Sequence, residues 1–439
     1  MNPFRSPSHK AIWAISWPML LSNISQPLLG LVDSAILGHL NSADYLAAVA
    51  LGTSILTLFY WSFGFLRMGT TGMIARSYGE NNVPLMHKQL LQSGFMALII
   101  AACIWLLSPL WLPWITQVMT PSDTLAPLSD SYVHIRLWAS PATLLTYVLL
   151  GWLIALARTR AVLIIALVTN GANLVLDVWF ILGLGMNSDG AALASVIAEY
   201  LGLSLALWLV FKPLKMSYYP LNDFFHWPDF RQLLQLNTHL FIRTLSLLAV
   251  TTYFTAQGAH ISDEVLAANA ILIKLVLLIS LGLDSFAHAA ESFAGQAIGA
   301  KQIRAFHKIY RDTMLWAGTA AVFLTLLLWF SQTVVIHAMT DIVVLREDLF
   351  QYWPWLCALP LISFISYQTD GIFIGADKTA AMRSVMLISM AGFFISWQYF
   401  QAWDNHGLWL SFIIFNTLRS SLMLAYSYYF SLKNQWGAN

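Results

Sequence analysis

The sequence predicts an all-α polytopic membrane protein, with twelve transmembrane helices in two pseudo-symmetric six-helix lobes. Three observations predict this fold class: an apolar composition, twelve apolar segments long enough to cross a bilayer, and motifs that repeat across the chain. Of the 439 residues, 58% are hydrophobic and 10% are charged, with a mean hydropathy of +0.67. Soluble domains average about 25% charged residues. The composition therefore predicts a protein that lies in the lipid bilayer, and no basic stripe indicates a nucleic-acid partner.

A transmembrane helix needs about 20 predominantly apolar residues. Twelve segments of the chain meet this condition. They cover residues 11–37, 45–73, 90–115, 131–156, 161–183, 190–211, 233–257, 265–297, 313–337, 350–375, 382–401 and 407–431. The polar N-terminal residues lead into the first segment without a small-residue cleavage site, so we expect a retained helix and not a signal peptide.

The distribution of Lys and Arg predicts the orientation. With the N-terminus in the cytoplasm, sixteen of these residues fall in cytoplasmic segments, and one, Arg346, falls in the opposite loops. Cytoplasmic loops of membrane proteins carry an excess of Lys and Arg. The pattern predicts a multi-pass protein of the bacterial inner membrane with both termini in the cytoplasm, which requires an even number of spans.

Several motifs recur at a constant offset of 220 residues. Leu46-Ala-Ala-Val-Ala50 recurs as Leu266-Ala-Ala-Asn-Ala270, and Gly151-Trp-Leu-Ile-Ala-Leu-Ala-Arg-Thr159 recurs as Gly371-Ile-Phe-Ile-Gly-Ala-Asp-Lys-Thr379. Gly79 and Tyr147 likewise match Gly299 and Tyr367. The repeats predict an N-lobe at 1–211, a proline-containing cytoplasmic linker at 212–231 and a C-lobe at 232–439. Six spans per repeat make the repeats parallel, an arrangement that places a substrate cavity between halves that move against each other.

Ionisable side chains in the hydrocarbon region cost about 2.5–3.5 kcal/mol each on insertion scales and are functional candidates by default. In this chain they are Asp33, Arg67, Asp177, Glu199, Arg243, Lys274, Asp284, Glu291, Asp370 and Arg419. Asp33 follows Pro18 and Pro27 in the same segment. Because a proline weakens a helix locally, protonation of Asp33 could be coupled to a bend. The alternative is a static carboxylate paired with an arginine.

Asn173 and Asp177 are four residues apart and share a helix face. Their oxygens, with the Ser195 hydroxyl, suit a proton relay or a Na⁺ site, since hard cations prefer oxygen ligands. The alternative is a set of helix–helix hydrogen bonds.

Asp284 and Glu291 are two turns apart on one face, and Asp370 opens the motif Gly-Ile-Phe-Ile-Gly. These three residues form either a second acidic site, in the C-lobe, or structural ion pairs with nearby bases.

Motifs of enzymes are absent from the sequence. There is no HExxH or HxxxH pattern to support a catalytic metal and no GxxxxGK[ST] pattern for ATP hydrolysis. Both cysteines, Cys103 and Cys357, lie in apolar runs, which argues against a disulfide framework. We expect no cofactor and no enzymatic activity.

The segment from Trp17 to His39, WPMLLSNISQPLLGLVDSAILGH, resembles the first-helix signature of the MATE multidrug exporters of the DinF branch. Further resemblances are Asn173-Leu-Val-Leu-Asp177, Gly190-Ala-Ala-Leu-Ala, the run Glu291–Ala300 and Asp370-Gly-Ile-Phe-Ile-Gly375, so that the similarity spans essentially the whole chain. The resemblance implies a twelve-helix fold and export of cationic or amphipathic drugs in exchange for H⁺ or Na⁺. It implies a cation site at Asp33, Asn173, Asp177 and Ser195, with helix bending at Pro18.

The sequence is also compatible with two other functions. Related carriers of the same superfamily flip lipid-linked oligosaccharides and tend to have a basic cavity, for which Arg67, Arg243 and Lys274 are candidates. A polytopic membrane enzyme is the third reading, but no catalytic constellation supports it. The more numerous acidic residues favour cationic substrates. We expect the partners to be small-molecule drugs and the bilayer, with the protein acting as a monomer.

The topology can be tested with single cysteines in a background from which Cys103 and Cys357 are removed. Cysteines at Asn81 and Arg158 should react with an impermeant thiol reagent only from the cytoplasm, and cysteines at Ser122 and Ser262 only from outside. Labelling of position 81 from outside would contradict the twelve-span topology.

Overall fold

The protein is described by a computed structural model that covers residues 7–38, 43–119, 122, 124–212 and 226–437, without the side chains of 31–35, 38, 43 and 118. Within these residues the chain is almost entirely helical and contains no strand. The α-helices are α1 (His9–Gly38), α2 (Ala43–Ser62), α3 (Phe65–Gly79), α4 (Val83–Leu106), α5 (Ser108–Met119), α6 (Leu125–Leu137), α7 (Ser140–Ala155), α8 (Thr159–Asp177), α9 (Asn187–Phe211), α10 (Trp227–Ile261), α11 (Asp263–Gly299), α12 (Ile303–Met339), α13 (Val343–Gly375), α14 (Thr379–Phe400) and α15 (Asp404–Leu432). A π-helix (Val178–Gly183) follows α8, and a 3₁₀ turn (Gln401–Trp403) precedes α15.

The helices have the length and composition of membrane spans. In the described residues, nine helical stretches are long and apolar enough to cross a bilayer, and α6 with α7 makes a tenth if the pair is one span. One of the nine, Thr379–Leu432, is 54 residues long and contains both α14 and α15. Every predicted apolar segment overlaps a helix, which confirms the all-α membrane fold. The number twelve itself stays a prediction.

Three predicted segments are interrupted in the structure. The segment 45–73 is divided between α2 and α3 at a turn that contains Gly64, and 90–115 is divided at Leu107, two residues before Pro109. The segment 131–156 is divided ahead of Pro141, and α6 and α7 meet at a bend of 49°. Proline lacks a backbone donor and clashes with the preceding turn, so it favours the start of a new helix over the interior of a continuous one.

The chain forms two compact units. The N-terminal unit comprises the described residues of Leu21–Ile74 and Asn82–Leu233. The C-terminal unit comprises those of Leu234–Asn439 together with two short segments, Met1–Leu20 and Ala75–Asn81. The divisions therefore fall inside α1, inside α3 and near the start of α10. The predicted lobe boundaries at 211 and 232 stay an interpretation of the repeat.

Specific contacts explain the short segments of the C-terminal unit. Near the end of α3, Arg76 Nη1 lies 3.4 Å from the carbonyl oxygens of Ile374 and Gly375, and Arg76 Nη2 lies 3.3 Å from Asp377 Oδ2. At the start of α1, Trp316 Nε1 donates a hydrogen bond of 3.0 Å to His9 Nδ1. These contacts hold the ends of the two helices on the C-terminal unit.

The first residues of α10 are held on the N-terminal unit in a comparable way. Lys88 on α4 forms an ion pair with Asp229 on α10. The rings of Phe95 and Phe230, from the same two helices, meet edge to face with 6.3 Å between their centroids. Residues 9 and 229, each near the start of its helix, are 220 positions apart. Thus α1, the first helix of the N-terminal repeat, begins in the C-terminal unit. In the same way α10, the first helix of the C-terminal repeat, begins in the N-terminal unit.

The backbone repeats the offset that the motifs have. Asn81 and Lys301 have φ of 56° each, and Ala157 and Asp377 have φ of 58° each. A positive φ is uncommon for residues with a side chain. Two pairs of such residues, separated by the same 220 positions as the motifs, indicate that both repeats end these helices with the same turn.

Glycines allow close helix contacts at equivalent places. In the C-terminal unit, a Cβ on Gly79 would overlap the carbonyl oxygen of Gln296, and a Cβ on Gly299 would overlap that of Arg76. The partners of the two glycines are themselves 220 residues apart. The ends of α3 and α11 therefore approach each other backbone to backbone, which only glycine permits at these positions.

We expect Gly299→Ala to lower the thermal stability of the purified protein. The added methyl group forces two backbones apart, and overpacking of this kind costs about 1–3 kcal/mol. Gly171→Ala is the matched control, because outside its own helix backbone no atom of the described residues lies within 4 Å of a Cβ at that position, and alanine is the better helix former by about 1 kcal/mol. Equal melting temperatures for the two variants in the same detergent would show that the contact does not constrain the helices.

Candidate functional site

Three predicted site residues lie together in the N-terminal unit. Asn173 and Asp177 occupy successive turns of α8 and are 4% and 1% exposed. Asn173 Nδ2 donates a hydrogen bond of 3.4 Å to Ser195 Oγ on α9. The structure thus brings an amide and a hydroxyl together between α8 and α9, and buries the carboxylate of Asp177 one turn further along α8. Their function stays a prediction.

The helix changes its winding immediately after Asp177. The π-helix Val178–Gly183 follows α8 without a break. π-Helical turns are rare, weaken the regular hydrogen-bond ladder and occur frequently at functional sites. This element is not predictable from the sequence, since the apolar residues of the segment are typical of an ordinary helix. The carboxylate of Asp177 is therefore located where the backbone departs from regular helix.

Helix α1 contains the remaining residues of the predicted N-lobe site. Asp33 belongs to α1, but its side chain lies outside the described part of the structure. Helix α1 is joined to α8 by a hydrogen bond of 2.9 Å from Asn170 Nδ2 to Ser25 Oγ. Pro18 is buried and Pro27 is half-buried, and α1 remains helical through both. Pro18 lies two residues before the division between the two units, and a role in bending stays a prediction for both prolines.

The N-terminal unit also contains a polar cluster that was not expected from the sequence. Arg136 Nη1 on α6 lies 2.7 Å from Glu199 Oε1 on α9, and Thr143 on α7 donates to the other carboxylate oxygen. Beside this pair, the hydroxyls of Tyr60 and Ser140 lie 3.0 Å apart. Glu199 was a candidate, whereas Arg136 was not, although it falls within the apolar segment 131–156. An arginine in that segment is the signal that could have identified it.

The C-terminal unit contains a larger ion cluster around Asp370. Arg243 from α10 and Arg419 from α15 both donate through Nη2 to Asp370 Oδ2 on α13. The Arg419 guanidinium also lies 4.9 Å from the centroid of the Tyr367 ring, and the Tyr367 hydroxyl is 2.6 Å from Ser280 Oγ. Asp370 therefore pairs with buried bases, which was one of its two predicted roles.

The two other acidic candidates of this unit lie on α11. Glu291 is 2% exposed, and its Oε2 lies 3.6 Å from Nδ1 of His288. Asp284 interacts electrostatically with Arg419. Within the described residues, no group of three or more His, Cys, Asp or Glu side chains is arranged to hold a metal ion. A shared acidic site of Asp284, Glu291 and Asp370 stays a prediction.

The two remaining basic candidates differ in exposure. Arg67 is half-buried in the N-terminal unit, whereas Lys274 on α11 is exposed. The described sites therefore fall into two classes, one that can bind ions and one that neutralises buried charges. The oxygens near Asp177 can bind a proton or a small hard cation, whereas the clusters at Glu199 and Asp370 compensate buried charge.

The ion pair of Arg136 with Glu199 can be tested by paired substitutions. Glu199→Leu leaves a guanidinium that is only 14% exposed without its carboxylate, and the loss should approach the cost of about 3–5 kcal/mol for breaking a buried pair, seen as a lower melting temperature. The double variant Arg136→Met with Glu199→Leu removes both charges and should recover most of that loss. A double variant no more stable than the single one would show that the two side chains do not compensate each other.

Comparison with known proteins identifies the family. The MatE family model matches residues 18–179 and again residues 241–400. The two matched segments begin about half a chain apart, as do the repeated motifs. DNA damage-inducible protein F of Escherichia coli (strain K12) is 35% identical over 425 residues, covering 96% of this chain and 92% of the relative.

More distant similarities support the same assignment. The probable multidrug resistance protein NorM of Acinetobacter baylyi is 23% identical over 344 residues, covering 76% of this chain and 75% of the relative. A structure described as the outward-facing conformation of a multidrug resistance MATE family transporter of the MOP superfamily superposes with a TM-score of 0.86 at 19% identity, covering 97% of this chain and 96% of that chain. This last similarity establishes the fold. The chain belongs to the MATE family of membrane transporters and, like the other members, is a transporter and not an enzyme.

Proposed function

We propose that this protein is a secondary active multidrug antiporter, which exports cationic or amphipathic compounds in exchange for H⁺ or Na⁺. The observation that carries the proposal is the buried pair of Asn173 and Asp177 on α8, with Asn173 hydrogen-bonded to the half-buried Ser195 on α9. A carboxylate, an amide and a hydroxyl provide oxygen ligands for either ion. A buried carboxylate is expensive in a membrane and is retained where it serves a function or a pairing.

The relatives support small organic molecules as substrates. The name of the Acinetobacter baylyi relative describes that protein as a probable multidrug resistance protein. The drug and the coupling ion would compete in the N-terminal unit. Binding of H⁺ or Na⁺ neutralises a carboxylate and removes the attraction for a cationic drug, and linkage makes this antagonism reciprocal.

Helix α1 would transmit ion binding to the rest of the protein. It carries Asp33, contacts α8 through Ser25 and Asn170, and passes from one unit to the other after Leu20. We propose that Asp33 takes up the coupling ion and that α1 then bends at Pro18, where the ring removes a backbone donor. Pro27 provides a second weak point on the same helix.

The alternative, export of a lipid-linked oligosaccharide, is less well supported. An anionic cargo of that kind requires basic side chains that are available to it. Of the three basic candidates for such a cargo, Arg243 is engaged by the buried carboxylate of Asp370, whereas Arg67 is half-buried and Lys274 is exposed. We therefore retain the cationic substrate class. We further propose an inner-membrane monomer with both termini in the cytoplasm.

Substrate efflux from proteoliposomes with separately imposed gradients tests the exchange. A pH gradient or a Na⁺ gradient should each be applied alone, with a fluorescent lipophilic cation as the substrate. We expect one of the two gradients to drive accumulation, and substrate affinity in detergent should fall as that ion is added. Transport that is indifferent to both gradients would overturn the antiport proposal.

Neutral variants test the coupling residues. We expect Asp33→Asn and Asp177→Asn each to lower gradient-driven transport at least about tenfold, equivalent to about 1.4 kcal/mol. An amide keeps the shape of the carboxylate but cannot exchange a proton or neutralise a cation.

Asp189→Asn is the matched control for these variants. Asp189 lies in the first turn of α9, six residues before Ser195, and accepts a hydrogen bond of 2.9 Å from Ser131. Its variant should transport at the wild-type rate. Near-normal transport by a well-folded Asp33→Asn protein would exclude Asp33 as the coupling group.

A further inference from the structure

We propose that Arg243 acts as a built-in cation of the C-terminal unit. By occupying the carboxylate of Asp370, it confines ion coupling to the N-terminal unit. Arg243 would thus be a positioning residue that determines how many ions are exchanged per substrate. The inference rests on the proposed ion-coupled exchange, but its test can fail independently of that exchange.

The geometry around Asp370 is the first support. Two guanidinium groups donate to the same oxygen of a single carboxylate, and they come from helices α10 and α15 on either side of α13 in the sequence. The side chains of Arg243, Asp370 and Arg419 are 9%, 9% and 2% exposed. An incoming Na⁺ or proton would have to compete with two buried positive charges that cannot diffuse away.

The charges in this cluster are balanced. Asp370 is paired with both arginines, and Asp284 on α11 attracts Arg419 electrostatically, so the charges of two arginines are balanced by those of two carboxylates. The Tyr367 ring packs against Arg419 as a neutral neighbour. Because the sum is zero, the cluster has no net negative charge for a transported cation to neutralise. This distinguishes it from an acidic site that gains stability when a cation enters.

The N-terminal repeat lacks this built-in cation. At the offset of 220 residues, Arg243 on α10 corresponds to Asn23 on α1, and Asp370 corresponds to Leu150. Arg419 corresponds to Glu199, which pairs with Arg136 from α6. The first helix of the C-terminal repeat thus carries a charge where the first helix of the N-terminal repeat carries a neutral amide.

Because of this difference, we expect the first helices of the two repeats to behave differently during transport. Arg243 ties α10 to α13 and α15 by charge, whereas α1 has at the equivalent position a residue that cannot form an ion pair. Breaking a buried ion pair by removal of one partner is strongly unfavourable. We infer that α10 stays in place during transport, that α1 is the first helix that responds to ions, and that Asp370 does not bind the transported ion.

The test compares Arg243→Gln with the double variant Arg243→Gln, Asp370→Asn. The single variant leaves the two carboxylates with one arginine, and Na⁺ or lowered pH should stabilise it more than either stabilises the wild type. The double variant keeps Arg419 with Asp284 and restores neutrality, so this extra stabilisation should be absent from it. Melting temperatures in detergent over a series of Na⁺ concentrations and pH values give the readout.

Transport provides the second readout. The ion-to-substrate ratio, taken from the gradient at which net flux reverses in proteoliposomes, should be the same in the double variant and in the wild type. Arg243→Lys keeps the positive charge, so it should match the wild type in both measurements. A purely structural arginine would lower the melting temperature in Arg243→Gln without adding a dependence on ions.

Either of two results would overturn the inference: an ion dependence of Arg243→Gln no greater than that of the double variant, or a changed ratio in the double variant. If Arg243→Gln does not fold, the ratio measured for the double variant decides alone. Failure of the wild type to couple transport to any ion would contradict the proposed function, while the comparison of melting temperatures would still test the role of Arg243.

Discussion

Compensation of buried charge is the constraint on which the polar interior of this protein depends. Transferring a charged side chain out of water costs several kcal/mol of free energy, and in the hydrocarbon region of a membrane no water is available to solvate the charge. The structure meets this cost by pairing: Arg136 with Glu199 in one unit, and Arg243 and Arg419 with Asp370 in the other. These pairs hold together helices that the nearly uniform apolar packing of a membrane protein would leave poorly specified.

The two repeats have similar helix contacts but differ in the charges of their buried side chains. Close glycine contacts, such as those of Gly151 with the Arg67 carbonyl and of Gly371 with the Ala287 carbonyl, recur at the same offset. At equivalent positions on the last helix of each repeat, however, Glu199 is acidic and Arg419 is basic. A duplicated scaffold can preserve helix packing while its buried charges change, because the packing depends on small residues and the charges depend on local partners.

Part of the candidate site follows from local spacing. Asn173 and Asp177 share a face because a helix repeats every 3.6 residues, and the structure buries both side chains, with Asn173 hydrogen-bonded to Ser195 on α9. The pairing of Arg136 with Glu199 could not be predicted in this way, since these residues are 63 positions apart and nothing local indicates the contact. The π-helix after Asp177 likewise has no sequence signal, because its residues suit a regular helix equally well.

By itself, the sequence determined the membrane setting, the apolar segments, the internal repeat and the resemblance to the MATE family. These features depend on properties that are read along the chain, such as hydrophobicity, the spacing of motifs and the placement of Lys and Arg. Only the tertiary structure decided which charges neutralise each other, where α6 and α7 bend, and that Asp370 is held by two arginines. The physical reason is that an ion pair in a membrane depends on which helices lie side by side, and helix packing is set by contacts between residues far apart in the sequence.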